Sequence, residues 1–496
     1  MTITIKDHFS LEAKEGESLL TALSRSGIIL PSPCGGRGYC KKCLVQILQG
    51  NVNGTEPDKD GWVLACRAKI QGNLLINRPE NNIPGENEIS HIIPGKKVHD
   101  KKILKAGIAL DIGTTTIAAS LLNLDDEREG FPVLDVISEL NAQLPHGGDI
   151  MSRIDAARKR KTAELHLAIN DQTREIIKHF MDKWSPGEIE KLIVSGNTVM
   201  LHFFLNVDPS GMGEVPFTPV FLEERIVKGS DLGLPAGEII ILPSISSFVG
   251  ADIVSGMAAL NLQSSPDERP SIFIDIGTNG EIALLNRGKI FCTSTAAGPA
   301  FEGAEIHMGM GGVLGAINRV EHNGEEFVVS TIGSIKPRGI CGSGLIDTVA
   351  LMLDLGIIDE TGYMEAEGGE FFLTPGIKII NRDIRQFQLA KSAILSGIKI
   401  LCKRTGLGLD EIANVYIAGG FGFFINKTNA VKSGLFPKEF LDKITVCGNL
   451  SLKGAEDALR DRNFLDKCRE LKNACVNIDL SVDPDFMIEF SENMLF

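Results

Sequence analysis

The sequence predicts two modules: a small α+β domain at the N-terminus, then a larger α/β domain built of two duplicated lobes. Three observations carry this. Four cysteines cluster near the start, a basic stretch with Pro and Gly follows them, and one strand–turn–strand unit then occurs twice. The 496 residues are 43% hydrophobic and 23% charged, which is ample apolar material for a core in each module.

Charge divides along the same line. Residues 1–105 hold 15 Lys+Arg and 11 Asp+Glu, a net of +4, and the remaining residues hold 35 and 53, a net of -18. The overall net of -14 argues against nucleic acid as the main partner. No run of eighteen uncharged apolar residues occurs, which excludes a helical membrane span. The first ten residues include Lys6 and Asp7 and no apolar core, unlike a signal peptide, so a cytoplasmic location is expected.

In the first module, residues 2–5 and 44–48 read as strands, and 17–26 places Leu19, Leu20 and Leu23 on one face of a short helix. Residues 33–43 read PCGGRGYCKKC. The spacing is Cys34-x5-Cys40-x2-Cys43, and Cys66 follows after 22 residues. A [2Fe–2S] cluster needs four thiolates, two on each iron, and three from one loop plus one from a distant segment meet that need. Gly35, Gly36 and Gly38 let the loop wrap and turn backbone N–H groups toward the sulfides. Zinc is the competing reading, but zinc sites usually come as two Cys pairs, and a five–two spacing in a Gly-rich loop does not fit them. The other six cysteines (Cys292, Cys341, Cys402, Cys447, Cys468, Cys475) are scattered and read as buried free thiols. Residues 79–105 read as a linker, and His91 and His99 within it as solvated side chains rather than ligands.

The second module begins with an apolar run at 106–110 that ends in Asp111, then Ile112-Gly113-Thr114-Thr115-Thr116, then a second apolar run. The unit returns 164 residues later as Asp275-Ile276-Gly277-Thr278-Asn279-Gly280. Each copy has a companion further on, a buried strand that ends in glycine ahead of a helix: Ser195-Gly196-Asn197-Thr198, and Ala418-Gly419-Gly420-Phe421-Gly422. The hairpin turn offers backbone N–H groups and Thr hydroxyls to phosphate oxygens. The Asp at the strand end is placed to hold Mg²⁺ through waters, because Mg²⁺ keeps part of its hydration shell. Glycine before a helix permits close approach of a ligand to the backbone. One such hairpin alone is weak evidence, since it can be an ordinary turn in a twisted sheet; two with matched glycine loops describe a cleft gripped from both sides.

The N-terminal segment resembles β-grasp [2Fe–2S] ferredoxins, with a first gap nearer the adrenodoxin type than the plant type. The 22-residue last gap is short for either, which implies one trimmed loop. The second module resembles the actin-like ATPase superfamily of sugar and acetate kinases and heat-shock chaperones, a duplicated ribonuclease H-like fold. Residues 111–116 match its first phosphate motif, 275–280 its second and 418–422 its adenosine motif. No P-loop occurs in the chain. The combination resembles the reductive activators of corrinoid enzymes. That resemblance spans most of the chain, including 141–143, 147–154 (GGDIMSRI), 195–198, 250–253, 297–304 (AGPAFEGA), 339–347 (GICGSGLID) and the stretch around Gly448-Asn449. There are two departures. Longer members carry an extra domain between linker and ATPase core, and the spacing of Cys447, Cys468 and Cys475 excludes the C-terminal [4Fe–4S] pair of another branch.

The resemblance implies domains at 1–78 (ferredoxin), 79–105 (linker), 106–265 (lobe I) and 266–496 (lobe II). It implies a [2Fe–2S] cluster on Cys34, Cys40, Cys43 and Cys66, with ATP and Mg²⁺ in the cleft. Asp111 and Asp275 would organise Mg²⁺, with Thr278 beside the reacting phosphate. Gly113, Thr114, Thr115, Thr116, Gly277, Thr278, Asn279 and Gly280 would hold phosphates, with Gly196 and Asn197 in the companion loop and Gly419, Gly420 and Phe421 at the adenosine. The implied activity is ATP-dependent reduction of Co(II) to Co(I) in a corrinoid protein of a methyltransferase system, with an unidentified low-potential electron donor and a homodimeric, cytoplasmic protein.

Several points stay open at this stage. Asp149, Asp252 and Glu281 are candidates for orienting the attacking water, each equally readable as a cap or a Mg²⁺-shell residue. His307-Met308-Gly309-Met310 could touch a corrinoid or be a surface loop. Cys341 could have a lowered pKa at a helix start or be a packed small residue. Phe203 and Phe204 read as core. The rival functions are a small-molecule kinase with a fused redox-sensing ferredoxin domain, an activator of radical dehydratases, and an electron-transfer module with a regulatory nucleotide site.

Overall fold

The structure is a computed structural model that describes residues 1–6, 10–25, 30, 43–77, 103–262, 269–365, 367–419 and 425–496. In the first module, alternation puts Ile3 and Ile5 on the buried face of strand Thr2–Ile5. That strand runs parallel to Leu74–Asn77 and antiparallel to Ser10–Glu12. The five-stranded sheet has the order Ser10–Glu12, Thr2–Ile5, Leu74–Asn77, Leu44–Gln49, Trp62–Leu64. Helix Leu19–Arg25 contributes Leu19, Leu20 and Leu23 to its core, which also takes Val45, Val63 and Ile76. A mixed sheet closed over one helix is the β-grasp arrangement that the sequence predicts.

Lobe I centres on strand Lys105–Ile112, whose residues Ala106 to Leu110 are all buried, as in a strand covered on both faces. Thr116–Asn123 and Val133–Leu140 follow antiparallel on one side; Glu188–Gly196 and Glu238–Ile241 add in parallel on the other. Lobe II repeats this plan. Ser271–Ile276 is flanked by antiparallel Gly280–Asn286 and Lys289–Thr295 on one side, and by parallel Asn414–Ala418 and Ile444–Gly448 on the other. The sequence repeat is therefore a repeat of topology.

The duplication extends to single atoms. Gly196 has φ +143° and a Cβ there would lie 2.5 Å from the Ile112 carbonyl oxygen; Gly419 has φ +113° and a Cβ would lie 2.2 Å from the Ile276 carbonyl oxygen. In both lobes, only glycine lets the companion strand turn away beside the hairpin.

Two helices cross between the lobes. Ala251–Ala259, which follows the lobe I sheet, buries Ile253, Val254 and Met257 with Phe273, Ala283 and Ile290 of lobe II. Leu450–Arg460, which follows the lobe II sheet, buries Leu452 and Ala455 in the lobe I core. Their backbones nearly touch, since a Cβ on Gly454 would meet Ser255 at 2.5 Å. Each lobe thus supplies a helix to the other's core, and the starts of the two helices carry Asp252, Asn449 and Ser451 toward Asp111. Among the described residues, no helix is long and apolar enough to cross a membrane.

Candidate active site

The first hairpin is fixed by side chains from later in lobe I. Asn141 Nδ2 donates to the Gly113 carbonyl at 2.8 Å, and its backbone N–H donates to Thr115 O at 2.8 Å. Arg153 is fully buried, in helix Ile150–Ala156. It donates to the Thr114 carbonyl, to Gln143 Oε1 at 3.0 Å and to Gly147 O at 2.9 Å. Burial lowers its pKa to about 9, with Asp149 and Glu302 pulling the other way. Gly113 itself is obligatory, because a Cβ would lie 2.8 Å from Thr116 O. The second hairpin closes with Gly277 N–H donating to Asn279 O at 2.9 Å. Gly280 begins the returning strand, packed against Thr295 and Ile394.

The two hairpins meet. Thr115 Oγ1 and Thr278 Oγ1 are 3.2 Å apart, and both hydroxyls donate to one oxygen of Glu302, Thr115 at 2.6 Å. Five carboxylates converge on this cleft. Asp111 accepts from Asn449 Nδ2 at 2.8 Å and Ser451 Oγ at 2.7 Å. Burial raises its pKa against those two hydrogen bonds. Asp252 is raised to about 7 by burial and by Asp111. Asp275 is raised well above the usual carboxylate range by burial and by Asp252, Asp111 and Glu302. Glu281 is raised by burial and by Asp252 and Asp275. Glu302 is raised by burial, opposed by the two Thr hydroxyls and Arg153. A cleft of like charges with raised pKa values is short of positive charge, which a divalent cation supplies. Among the described residues no three His, Cys, Asp or Glu side chains form a complete metal cage. Mg²⁺ does not require one, since it binds through one or two carboxylates together with waters and substrate phosphates.

The companion loops flank the cleft. Asn197 caps helix Thr198–Phe204 through its Oδ1, which accepts from Val199 N at 3.0 Å. Gly196 and Gly419 lie against the two hairpin strands as described, while Gly420 and Phe421 fall outside the described residues.

The structure thus brings together Asp111, Gly113–Thr116, Gly196, Asn197, Asp275–Gly280 and Gly419 of the residues singled out in the sequence. Sequence reasoning missed Glu302, Arg153, Asn449 and Ser451. Each lies inside or next to a matched stretch, but in a loop or helix far along the chain from the hairpins. The available signal was an acid flanked by Phe301 and Gly303 in an otherwise small, uncharged loop.

Other candidates sort by geometry. Asp149 caps its helix in a reciprocal capping box with Ser152, so a cap describes it. Cys341 does precede helix Gly342–Asp354, but burial raises its pKa instead of lowering it, with Sγ directed at Ile317 O at 3.2 Å. It is a packed small residue. His307 is exposed, its backbone N–H held by Asp383 at 2.6 Å, and Met308 Sδ sits 3.4 Å from Lys378 N. Phe203 and Phe204 are fully buried core.

In the first module, Cys34 and Cys40 lie outside the described residues, as do His91 and His99. Cys43 is buried beside Cys66, and their thiols are in hydrogen-bonding contact, which with burial raises the Cys43 pKa strongly. Two thiols brought together at the paired ends of strands Leu44–Gln49 and Trp62–Leu64 suit soft thiolate ligation of iron.

Comparison with known proteins matches both modules. Residues 3–71 match the 2Fe-2S iron-sulfur cluster binding domain, residues 106–265 the RACo middle region, and residues 269–496 the C-terminal domain of RACo, the ASKHA domain. The chain is 28% identical to the corrinoid activation enzyme RamQ of Eubacterium limosum, over 97% of this chain and 96% of that one. It is also 28% identical to the [Co(II) methylated amine-specific corrinoid protein] reductase of Methanosarcina barkeri, over 74% and 72%. Among solved structures, a reductive activator for corrinoid,iron-sulfur protein superposes with a TM-score of 0.74 at 28% identity, covering 100% of this chain and 98% of that one.

Proposed function

The chain belongs to the reductive activators of corrinoid proteins, and from that premise we propose that it uses ATP to drive the one-electron reduction of Co(II) to Co(I) in a corrinoid protein serving a methyltransferase system. The observation that carries this reading is one chain joining a ferredoxin-type module to a two-lobed cleft whose phosphate hairpins meet at Thr115 and Thr278.

The cofactors are a [2Fe–2S] cluster, ATP and Mg²⁺. When bound, the cluster supplies a single low-potential electron; plant-type centres lie near roughly -400 mV. Each further 100 mV uphill costs about 2.3 kcal/mol for one electron. ATP offsets such a gap only by changing which conformation of the complex is favoured. We assign Cys34, Cys40, Cys43 and Cys66 to hold the cluster. Asp111 and Asp275 orient the Mg²⁺ shell. Backbone N–H groups and hydroxyls of 113–116 and 277–280, Thr278 foremost, hold phosphates. Gly196 and Asn197 border them, and Gly419, Gly420 and Phe421 flank the adenosine. An unidentified low-potential electron donor, a homodimer and a cytoplasmic setting complete the proposal.

The test is ATP turnover with purified holoprotein. The proposal expects ADP and inorganic phosphate in equal amounts without any phosphoryl acceptor, and faster turnover when a Co(II) corrinoid protein is added. ADP formation that requires a small-molecule hydroxyl acceptor would replace it with the kinase reading.

A further inference from the structure

We infer that Glu302 is the group that accepts the proton from the water attacking the terminal phosphate of ATP. The inference rests on the cleft being an ATPase site, as proposed above. Its basis is position. Of the five convergent carboxylates, Glu302 is the one whose oxygen accepts from a hydroxyl of each hairpin, Thr115 at 2.6 Å and Thr278. Its other oxygen faces Gly277, 3.7 Å from where a Cβ would stand. A phosphoryl group that takes over those two hydroxyls leaves this carboxylate facing it, at the place the attacking water would take.

Four of the other acids are engaged elsewhere. Both oxygens of Asp111 accept from Asn449 and Ser451. Asp149 caps its helix, Asp252 accepts from Ile253 N at 2.9 Å, and Glu281 is hydrogen-bonded to Asn279. Asp275 lies at the end of its strand, level with Asp111 in the repeat.

The loop that carries Glu302 is held rigidly, as a catalytic group requires. Glu302 N–H and Ala304 N–H both donate to Pro299 O at 3.1 Å, and Gly303 N–H donates to Ala300 O at 3.0 Å. Phe301 is buried edge-on against Phe387 with centroids 5.5 Å apart. Gly303 has φ +75° and sits where a Cβ would collide with Met310 at 2.4 Å. Burial also makes the carboxyl more basic than usual, which suits a proton acceptor.

The step balances without a redox partner. The water oxygen bonds to the γ-phosphorus, and the bond to the β,γ-bridging oxygen breaks with its electron pair going to ADP. The water proton moves to the Glu302 carboxylate and then out to phosphate or solvent.

Glu302→Gln tests this in the holoprotein, with Glu302→Ala as the second variant. The first readout is nucleotide affinity by displacement of a fluorescent ATP analogue, and the second is turnover. We expect E302Q to lower kcat by about 10²- to 10⁴-fold, the range for loss of a positioned base, with ATP affinity within about threefold of wild type. We also expect added formate to restore at least about tenfold of E302A turnover, and to leave wild type unchanged. A purely structural glutamate would lose affinity with turnover and show no rescue by formate, which would overturn the inference. So would E302Q turnover within about fivefold of wild type; wild-type ATP turnover in the same assay would then leave the ATPase reading standing. Wild-type protein that neither binds nor hydrolyses ATP would sink that reading itself, and this inference with it.

Discussion

The hydroxyls of Thr115 and Thr278 lie 3.2 Å apart, although 163 residues separate them and they belong to different lobes. Two copies of one sequence unit therefore face each other across a cleft, each offering the same chemistry to the same ligand. The predictions below follow from how that meeting point is held.

The glycines that abut the hairpins are conformational requirements. Gly419→Ala puts a side chain at φ +113° and 2.2 Å from the Ile276 carbonyl. Strain of that kind costs about 1–3 kcal/mol before the clash is counted. For a domain of this size that lowers Tm by roughly 2–4 °C per kcal/mol. Gly196→Ala should behave alike, and both should weaken ATP binding. A differential scanning calorimetry trace within 1 °C of wild type would refute the point, on the same scale of roughly 2–4 °C per kcal/mol.

Asp252 should make the nucleotide-free protein less stable as pH rises. Its folded pKa, about 7, lies above the ordinary 3.8, so between those values the native state binds the extra proton. Stability then falls with rising pH across that window, and the full cost is present above it. Asp252→Asn should be more stable than wild type at pH 8, with the gain shrinking toward pH 4. Urea denaturation of both proteins at several pH values checks this; a pH-independent difference would contradict it.

Arg153 positions the first hairpin through the Thr114 carbonyl. Arg153→Met leaves that carbonyl, Gly147 O and Gln143 Oε1 without their donor. Each unsatisfied buried acceptor costs about 1–3 kcal/mol, so with three of them a loss of at least roughly 3 kcal/mol is expected, together with weaker ATP binding. Arg153→Lys should recover only part of both, since an ammonium cannot span the fork. Denaturation midpoints and nucleotide titrations read the two effects separately.

Cys66→Ser should remove the visible absorbance of the iron–sulfur cluster while leaving basal ATP turnover intact. The ferredoxin core and the lobe cores are separate packed clusters, and helix Leu19–Arg25 meets lobe I at Leu144–His146, outside those cores, so loss of the iron–sulfur cluster leaves the lobe cores packed. Loss of ATP turnover in parallel with absorbance would show that the modules are coupled even at rest.

Much of this was legible in the sequence because it rests on local chemistry. The DIGT turns, their strand-end aspartates and the glycines Gly196 and Gly419 each declare themselves within a few residues. Glu302, Arg153, Asn449 and Ser451 do not, because their roles arise only when folding carries them to the hairpins. Ser451, for instance, is 340 residues from the Asp111 carboxylate it supports. Cys341 shows the opposite limit: a helix start suggested a lowered thiol pKa, but burial, invisible in a short motif, reverses the direction. The crossing of helices Ala251–Ala259 and Leu450–Arg460 into each other's lobes was equally hidden, because amphipathic patterning does not say which core a helix joins.

The most direct measurement is anaerobic absorbance spectroscopy of a Co(II) corrinoid protein mixed with chemically reduced activator. The account predicts that the Co(I) band appears with Mg-ATP, fails to appear without it, and is lost in Asp275→Ala. Co(I) formation at the same rate without ATP, or in Asp275→Ala, would contradict the coupling of this cleft to cobalt reduction.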